Sequence, residues 1–369
     1  MHITFICGSL EPGKDGVGDY SRRLAGEIIR QGHNASLIAL YDRHCIEVED
    51  TTQQDADIEI SVLRLPKSVT KAERLGATKD FLTKQKPDVL SLQFVPYSFQ
   101  DKGLPFWLPS FLKQLKFQGK WHIMFHELWA GMSVQDSLKL QCVGMVQKYL
   151  INDLIKQLNP SLIQTQNQLY LYYLKKLTEN RVQILPLITN IPVLKKKEKK
   201  NDTYFTVTAF GTLYPSSFVY DFIIELQKIT KHKNLQLRFL FVGGNGPLLE
   251  DWVRICKEKH ILFEIKGRLE DVEISSLIQQ SDIGVSTTPY ALSEKSGAAA
   301  AFKHHGKPVI IVSRKWTPKN VSVELPKSIG FYDFATQGIS ESVFDLNTCI
   351  DLISNQEISS LFIKSLKDL

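Results

Sequence analysis

The chain has 369 residues, 43% of them apolar and 23% charged, enough for two globular domains that each bury a core. A net charge of +6 is too modest for a dedicated nucleic-acid binder, and no base-reading module is visible, so nucleic acid is excluded as a partner. Five scattered cysteines (Cys7, Cys45, Cys142, Cys256 and Cys349), odd in number and without a CxxC pair, exclude a disulfide frame and a zinc site.

A first strand, ITFICGS (Ile3–Ser9), starts almost at Met1, which leaves no room for a signal peptide. No apolar run approaches the ~20 residues of a membrane span. With reduced thiols, these features predict a cytoplasmic protein, at most peripheral at the inner face of a membrane. The strand runs into GSLEPGKDGVGDYS (Gly8–Ser21) and a helix over about Asp19–Gln31, stopped by Gly32. Glycines let the backbone approach a ligand closely, and a helix start offers N–H groups and a partial positive charge to an anion. Gly16 and Gly18 are therefore candidate phosphate contacts. Asp19 also reads as the N-cap of the helix.

Next come NASLIAL, the strand ISVLRLP, a helix through Lys71–Gln85, and the buried strand PDVLSLQFV. A helix near Trp107–Leu115, the strand WHIMFHELW, a longer helix around Val134–Leu158, the strand SLIQTQ, a helix Leu169–Leu177 and VQILPLI complete the first half. Short apolar runs separated by amphipathic segments predict a mostly parallel sheet covered on both faces, built from right-handed βαβ units. Asp55-Ala56-Asp57, in TTQQDADIE, has the spacing of a metal–diphosphate motif but precedes a strand, and is read as solvated loop. LQFVPYSFQDKGLPFWL (Leu92–Leu108) is rich in aromatics that suit either a binding platform or a core. FHELW (Phe125–Trp129) puts His126 and Glu127 at the carboxyl end of a central strand, where open α/β sheets keep their chemistry.

Between Pro186 and Thr203 the pattern breaks, with five lysines in the six positions Lys195–Lys200. The run reads as a solvated interdomain linker, with an anionic-membrane patch as the alternative. The alternation restarts with FTVTAFG, a helix Phe218–Lys231, LQLRFLFVGG, a helix Leu248–Lys259, FEIKG, a helix Val272–Gln280 and DIGVST (Asp282–Thr287). The loop TPYALSEK then leads to a small-residue helix that opens at Ser296-Gly297, ends near Gly306 and feeds PVIIV. The expected domains are 1–190, a linker 191–203, a second domain 204–345, and a helical tail 346–369 that packs back on the first. SEKSGAAAAFKHHGKPVII (Ser293–Ile311) is the strongest anion-site signal, a helix N-terminus with Ser and Gly at its mouth. VGGNGPLLEDW (Val242–Trp252) adds a glycine-dense strand-to-helix turn, which suits a nucleotide or is simply tight. KGRLEDVEISSLIQQSD (Lys266–Asp282) adds a loop whose backbone suits a base, with Glu273 in the first turn of the next helix or plain surface. His304 and His305 are adjacent and cannot share a helix face, so no metal is expected. A first loop without a third glycine speaks against an NAD-dependent dehydrogenase.

Taken together, the Gly16–Tyr20 loop, FHELW, FGTL at Phe210–Leu213, VGGNGP and SEKSGAAAAFKHHGKPVI resemble the GT-B glycosyltransferases, specifically the large retaining family 4. The resemblance covers nearly the whole chain. It implies two Rossmann-like, doubly wound α/β domains facing a central cleft. It implies transfer of a hexose, with retention, from a nucleotide-diphosphate sugar to an unknown acceptor, with no metal or other cofactor. By this resemblance donor contacts fall on Gly16, Gly18, Gly211, Thr212, Gly243, Gly244, Asn245, Gly267, Arg268, Leu269, Glu273, Ser296 and Gly297. Acceptor contacts fall on Asp19, Tyr20, Phe94, Tyr97, Glu127 and Trp129, and His126 faces the donor sugar. Two departures stand out. Where the family often carries Arg and Lys after FxG, this chain has Thr212 and Ser217. The slots of two family glutamates fall on Ser293 and Ala301, with Glu294 one residue from the first. Compensation of the leaving diphosphate is then assigned to Lys295, Ser296 and Gly297, with Arg268 as a second cation and Glu294 on the sugar hydroxyls. A weakly active nucleotide-sugar-binding partner subunit and a nucleotide-sugar epimerase remain as alternatives.

Overall fold

In the first unit, β1 (His2–Cys7) leads through the glycine-rich loop to α1 (Gly16–Arg30), β2 (Asn34–Asp42), β3 (Glu49–Asp55), β4 (Ile58–Pro66) and α2 (Lys71–Gln85). Then follow β5 (Val89–Phe94), α3 (Leu108–Gln114), β6 (Lys120–Phe125), α4 (Leu138–Leu158), β7 (Leu162–Thr165), α5 (Gln168–Leu177) and β8 (Val182–Ile184). The computed structural model describes residues 1–195, 202–348 and 353–369, and separates into two units, Met1–Ile188 with Asn355–Leu369, and Thr189–Ser354. Apart from Lys195, the lysine run expected as a linker lies outside the described residues, as does Cys349.

The eight strands of the first unit are ordered β3-β4-β2-β1-β5-β6-β7-β8, and every neighbouring pair is parallel except β3–β4. Residues Ile3 to Cys7 of β1 are all buried, as a central strand covered on both faces requires. The order reverses between β1 and β5, the position at which open α/β sheets bind ligands. There the loops leaving the two strands touch. A Cβ on Gly8 would run into the carbonyl oxygen of Ser98, so only glycine fits.

Three expectations need correction. Only Ala56-Asp57 of the stretch TTQQDADIE is solvated turn; Asp55 ends β3, an antiparallel edge strand whose register pairs Glu49 with Arg64 and Asp55 with Ile58. Ala56, at φ 54°, and Asp57 make the hairpin turn. Asp55 is buried in ion pairs with Arg23 (3.1 Å) and Arg30 (3.0 Å), and Asp57 pairs with Arg30 at 3.1 Å, so arginines occupy both carboxylates of this DxD. Next, α1 starts at Gly16 rather than Asp19, because Asp15 is the N-cap and accepts from Val17 N (3.0 Å) and Gly18 N (2.8 Å). Finally, α4 starts at Leu138 rather than Val134. Ser133 and Asp136 close a turn of their own, with Ser133 N donating to Asp136 Oδ2 at 2.9 Å, and Ser137 caps the helix.

The second unit comprises β9 (Tyr204–Phe210), α6 (Val219–His232), β10 (Gln236–Val242), α7 (Leu249–Glu258), β11 (Leu262–Gly267), α8 (Asp271–Gln280) and β12 (Ile283–Ser286). It continues with α9 (Gly297–His304), β13 (Val309–Ile311), β14 (Phe331–Asp333) and α10 (Phe334–Gln337). Its sheet, β11-β10-β9-β12-β13-β14, is wholly parallel and reverses between β9 and β12. Phe222, Phe239, Phe241 and Trp252 meet edge to face in its core. The last helix, α11 (Asn355–Lys367), belongs to the first unit. Its Phe362 ring packs 6.0 Å from Phe5 and 5.1 Å from His122, and Gln31 Nε2 donates to Ser359 Oγ at 2.5 Å.

Candidate functional site

At the carboxyl edge of the second sheet, three strands end in glycine. Gly211, Gly243 and Gly267 have φ of 81°, 85° and 64°, a left-handed backbone that a side chain strains. The turns are bonded to one another. Gly211 N donates to Val242 O at 3.0 Å and Gly243 N to Gly267 O at 2.6 Å. Asn245, only 3% exposed, pins them, its Nδ2 donating to Gly211 O (2.8 Å) and Val242 O (3.2 Å) while its own carbonyl accepts from Leu213 N (3.0 Å). Its Oδ1 is enclosed and has no partner.

The loop after β12 joins this edge, with Thr287 Oγ1 accepting from Tyr214 N at 2.7 Å. It passes through a two-turn 3-10 segment, Tyr290–Lys295, which carries Glu294 and Lys295, both half-buried. Ser296 then caps α9 by accepting from Ala299 N (3.3 Å), and Gly297 opens the helix, exposed, with no acidic residue in the first turn. A Cβ on Gly211 would stand 3.6 Å from Ala298, which places the start of α9 against the turn after β9. Gly211, Gly243, Gly244, Ser296 and Gly297 thus share one edge of one sheet. Arg268 adds a cation there, its Nε 3.9 Å from where a Gly244 Cβ would be, and Thr212 lies exposed in the turn after β9. Leu269 is half-buried against the core near Ile274. Glu273 has a cap role, its Oε2 accepting from Glu270 N at 3.0 Å in a capping box that starts α8.

The loop of the first unit is built differently. Leu10 N donates to Asp42 Oδ2 (3.0 Å), Gly13 N to Asp19 Oδ1 (3.1 Å), and Val17 N and Gly18 N to Asp15. The Gly18 N–H is therefore occupied by a carboxylate. Burial pushes the Asp15 carboxyl above its ordinary range. Asp42 is fully buried, and although burial opposes it, the Arg64 guanidinium (2.9 Å), the N–H groups of Leu10 and His44, and the Ser9 hydroxyl hold its carboxyl low. Arg64 also reaches Glu11 (2.6 Å) and Glu49 (2.9 Å), which clamps the loop to β4 and β3. Arg22 completes the clamp through Asp19 Oδ1 (2.7 Å), Leu10 O (2.8 Å) and Gln53 Oε1 (2.9 Å).

His126 was expected to face a sugar, but both of its ring nitrogens are engaged inside the unit. Nε2 meets Gln93 Oε1 at 2.9 Å and Nδ1 meets Gln166 Nε2 at 2.8 Å, which sets a neutral ring with its proton on Nε2. Gln93 continues to Ser91 (2.7 Å) and Ser91 to His122 (2.8 Å), a buried polar chain across β5 and β6. Tyr20 is buried with its ring edge-on to His126 at 4.7 Å, and burial raises its hydroxyl. Phe94 is core, packed on Phe99 and Phe125, rather than platform. The expected acceptor residues that keep surface are Asp19, which Arg22 holds, and Tyr97, Glu127 and Trp129, the last 5.4 Å from Tyr173 with Lys148 over its ring. Sequence reasoning missed Asp15 and Arg64, and it placed Asn245 among the donor contacts without its role as the pin between the turns. Asp15, directly before Gly16-Val17-Gly18, had a readable cap signal; Arg64 acts through partners far away in the chain.

No protein-family model matches this chain, and no curated protein does. Solved structures do. A sucrose-phosphate synthase from Thermosynechococcus elongatus superposes with a TM-score of 0.67 at 12% identity, over 100% of this chain and 98% of that one. HepE from Anabaena, in complex with UDP and glucose, gives 0.58 at 14% identity over 100% of both chains. A putative UDP-N-acetylglucosamine 2-epimerase from Listeria monocytogenes gives 0.55 at 9% identity, over 100% of this chain and 96% of that one. The chain therefore has the GT-B fold, two Rossmann-like α/β units in tandem, that these proteins share.

Proposed function

We propose that the protein is a retaining, metal-independent glycosyltransferase that moves a hexose from a nucleotide-diphosphate sugar to an acceptor in the cytoplasm. One observation carries this reading. At the switch point of the second sheet, left-handed glycine turns and the start of α9 present backbone to a ligand with no acidic residue in the helix's first turn. The complex of the similar HepE with UDP and glucose supports a donor of this class.

In this reading the bond from the sugar's anomeric carbon to the diphosphate oxygen breaks as the acceptor oxygen bonds to that carbon, and the acceptor's proton passes to the leaving diphosphate. Negative charge grows on the leaving diphosphate. The α9 dipole, Ser296, the Gly297 backbone, Lys295 and Arg268 offset it, in place of the cations absent at Thr212 and Ser217. Glu294 holds sugar hydroxyls, and the loop from Gly267 to Leu269 receives the base. Tyr97, Glu127 and Trp129 of the first unit meet the acceptor. His126 acts through its neighbours, because Gln93 and Gln166 occupy its ring nitrogens. Epimerisation of a nucleotide sugar is the second reading, favoured by the similarity to the Listeria protein.

The deciding experiment is thermal unfolding with UDP, GDP, ADP and TDP and their hexoses, with EDTA or with magnesium or manganese, followed by product analysis. A ligand at about 100 times its Kd stabilises by about 2.7 kcal/mol. A metal-independent shift with one diphosphate, and sugar transferred to an added acceptor, is the expected result. Epimerised donor without acceptor supports the second reading. No shift with any nucleotide overturns both.

A further inference from the structure

The helix α4 is apolar on two opposite faces. Its inner face buries Leu150, Ile151, Leu154, Ile155 and Leu158. Its outer face carries Leu138, Cys142, Met145 and Tyr149, spaced by four, three and four residues, so they form one stripe along the helix. The stripe is open to solvent. Leu138 is 78% exposed, and Met145 and Tyr149 are 66% exposed. Scattered apolar residues on a surface are ordinary, but a continuous stripe three turns long along one helix marks a contact surface.

Charge around the stripe selects the occupant. Helix α4 carries Lys139, Lys148 and Lys156 against one acid, Asp153. Lys156, seven residues after Tyr149, continues the line of the stripe two turns further on, and Lys139 and Lys148 stand to its two sides. Protein–protein interface cores are depleted in lysine. Anionic lipid headgroups attract it, because the long stem lies along apolar surface while the ammonium reaches the phosphate layer. A tyrosine beside such a stripe suits the same boundary. We propose that the outer face of α4 docks the first unit onto an anionic lipid surface, Leu138, Met145 and Tyr149 entering the headgroup layer and the flanking lysines holding lipid phosphates. This inference does not rest on the transferase reading.

The test uses the full chain and two kinds of vesicle, phosphatidylcholine alone and phosphatidylcholine with phosphatidylglycerol in equal parts. The unaltered protein is expected to co-sediment with the second and not the first, and to be released by salt. The combined variant Leu138→Ser, Met145→Ser, Tyr149→Ser is expected to lose about tenfold or more in vesicle affinity with its thermal unfolding unchanged, since only exposed groups are altered. Cys142 serves as an internal reporter. Among the described cysteines it alone is exposed, and with Cys349→Ser it can be labelled by an environment-sensitive fluorophore. A blue shift of that label on anionic vesicles places the stripe in the lipid. The proposal is overturned if the unaltered protein ignores anionic vesicles, or if the triple variant binds them as tightly. A dimer that the triple variant abolishes, without vesicle binding, would assign the face to a second copy and overturn it too.

Discussion

The two units share one strand order, with β4-β2-β1-β5-β6-β7 matching β11-β10-β9-β12-β13-β14, yet they treat the loop at the switch point in opposite ways. In the first unit the N–H groups of Leu10, Gly13, Val17 and Gly18 are given to Asp42, Asp19 and Asp15, and Arg64 and Arg22 hold those loops from β4 and α1. In the second, glycine turns are tied by backbone bonds and by the Asn245 side chain, and α9 starts with a serine cap and no acidic residue in its first turn. A helix start that already holds a carboxylate has spent its attraction for an anion. The same fold has thus one loop whose N–H groups are held by its own acids and one with no acid in the first turn of its helix.

Breaking the first clamp should have the largest effect on stability. Arg64→Met leaves Asp42 buried without its cation, at a cost of about 3–5 kcal/mol in urea unfolding. The sign with pH follows from the low carboxyl of Asp42. In the unaltered protein its contribution is complete above the ordinary aspartate range and is lost as pH falls through the lower folded value. The variant should lose that acid-side decline, and unchanged urea midpoints at pH 7 would refute the clamp.

Placing a carboxylate on the open loop tests the other half. Gly297→Asp has free space around it and should fold normally, while its charge repels a diphosphate. Turnover should drop by roughly 10²–10³, as should that of Lys295→Ala. Retained nucleotide-dependent stabilisation in Gly297→Asp would move the donor site elsewhere.

Asn245→Ala sharpens the comparison further. It leaves the carbonyls of Gly211 and Val242 short of a donor and should cost about 1–3 kcal/mol, together with weaker nucleotide binding. A variant that loses stability but binds nucleotide unchanged would separate the pin from the site.

A pH probe of the first unit is His122, which burial, with His126 nearby, pushes down to about 3 from an ordinary value near 6.5. The unfolded chain takes up a proton first, so between these values stability falls as pH falls, by up to about 1.4 kcal/mol per pH unit. His122→Phe should flatten that slope between pH 6 and about 4, measured by urea unfolding. An unchanged slope would assign it to other buried histidines.

Local pattern alone reached the alternation of strands and helices, the parallel character of both sheets and the serine-capped start of α9, because periodicity, caps and glycine turns act over a few residues. Asp15 lay within that range. Other features depend on partners distant in sequence. Burial of Phe94 follows from Phe99 and Phe125 across the sheet, and engagement of His126 needs Gln93 and Gln166 from neighbouring strands. The polar run at residues 49–55 looks like loop until β4 offers a partner edge and Arg23 and Arg30 offer charge for Asp55. Which of two similar glycine-rich loops stays open was likewise settled only in three dimensions. Both sequences promise helix starts, but a carboxylate closes one of them, and Asp42 reaches Leu10 only after β2 has been laid beside β1.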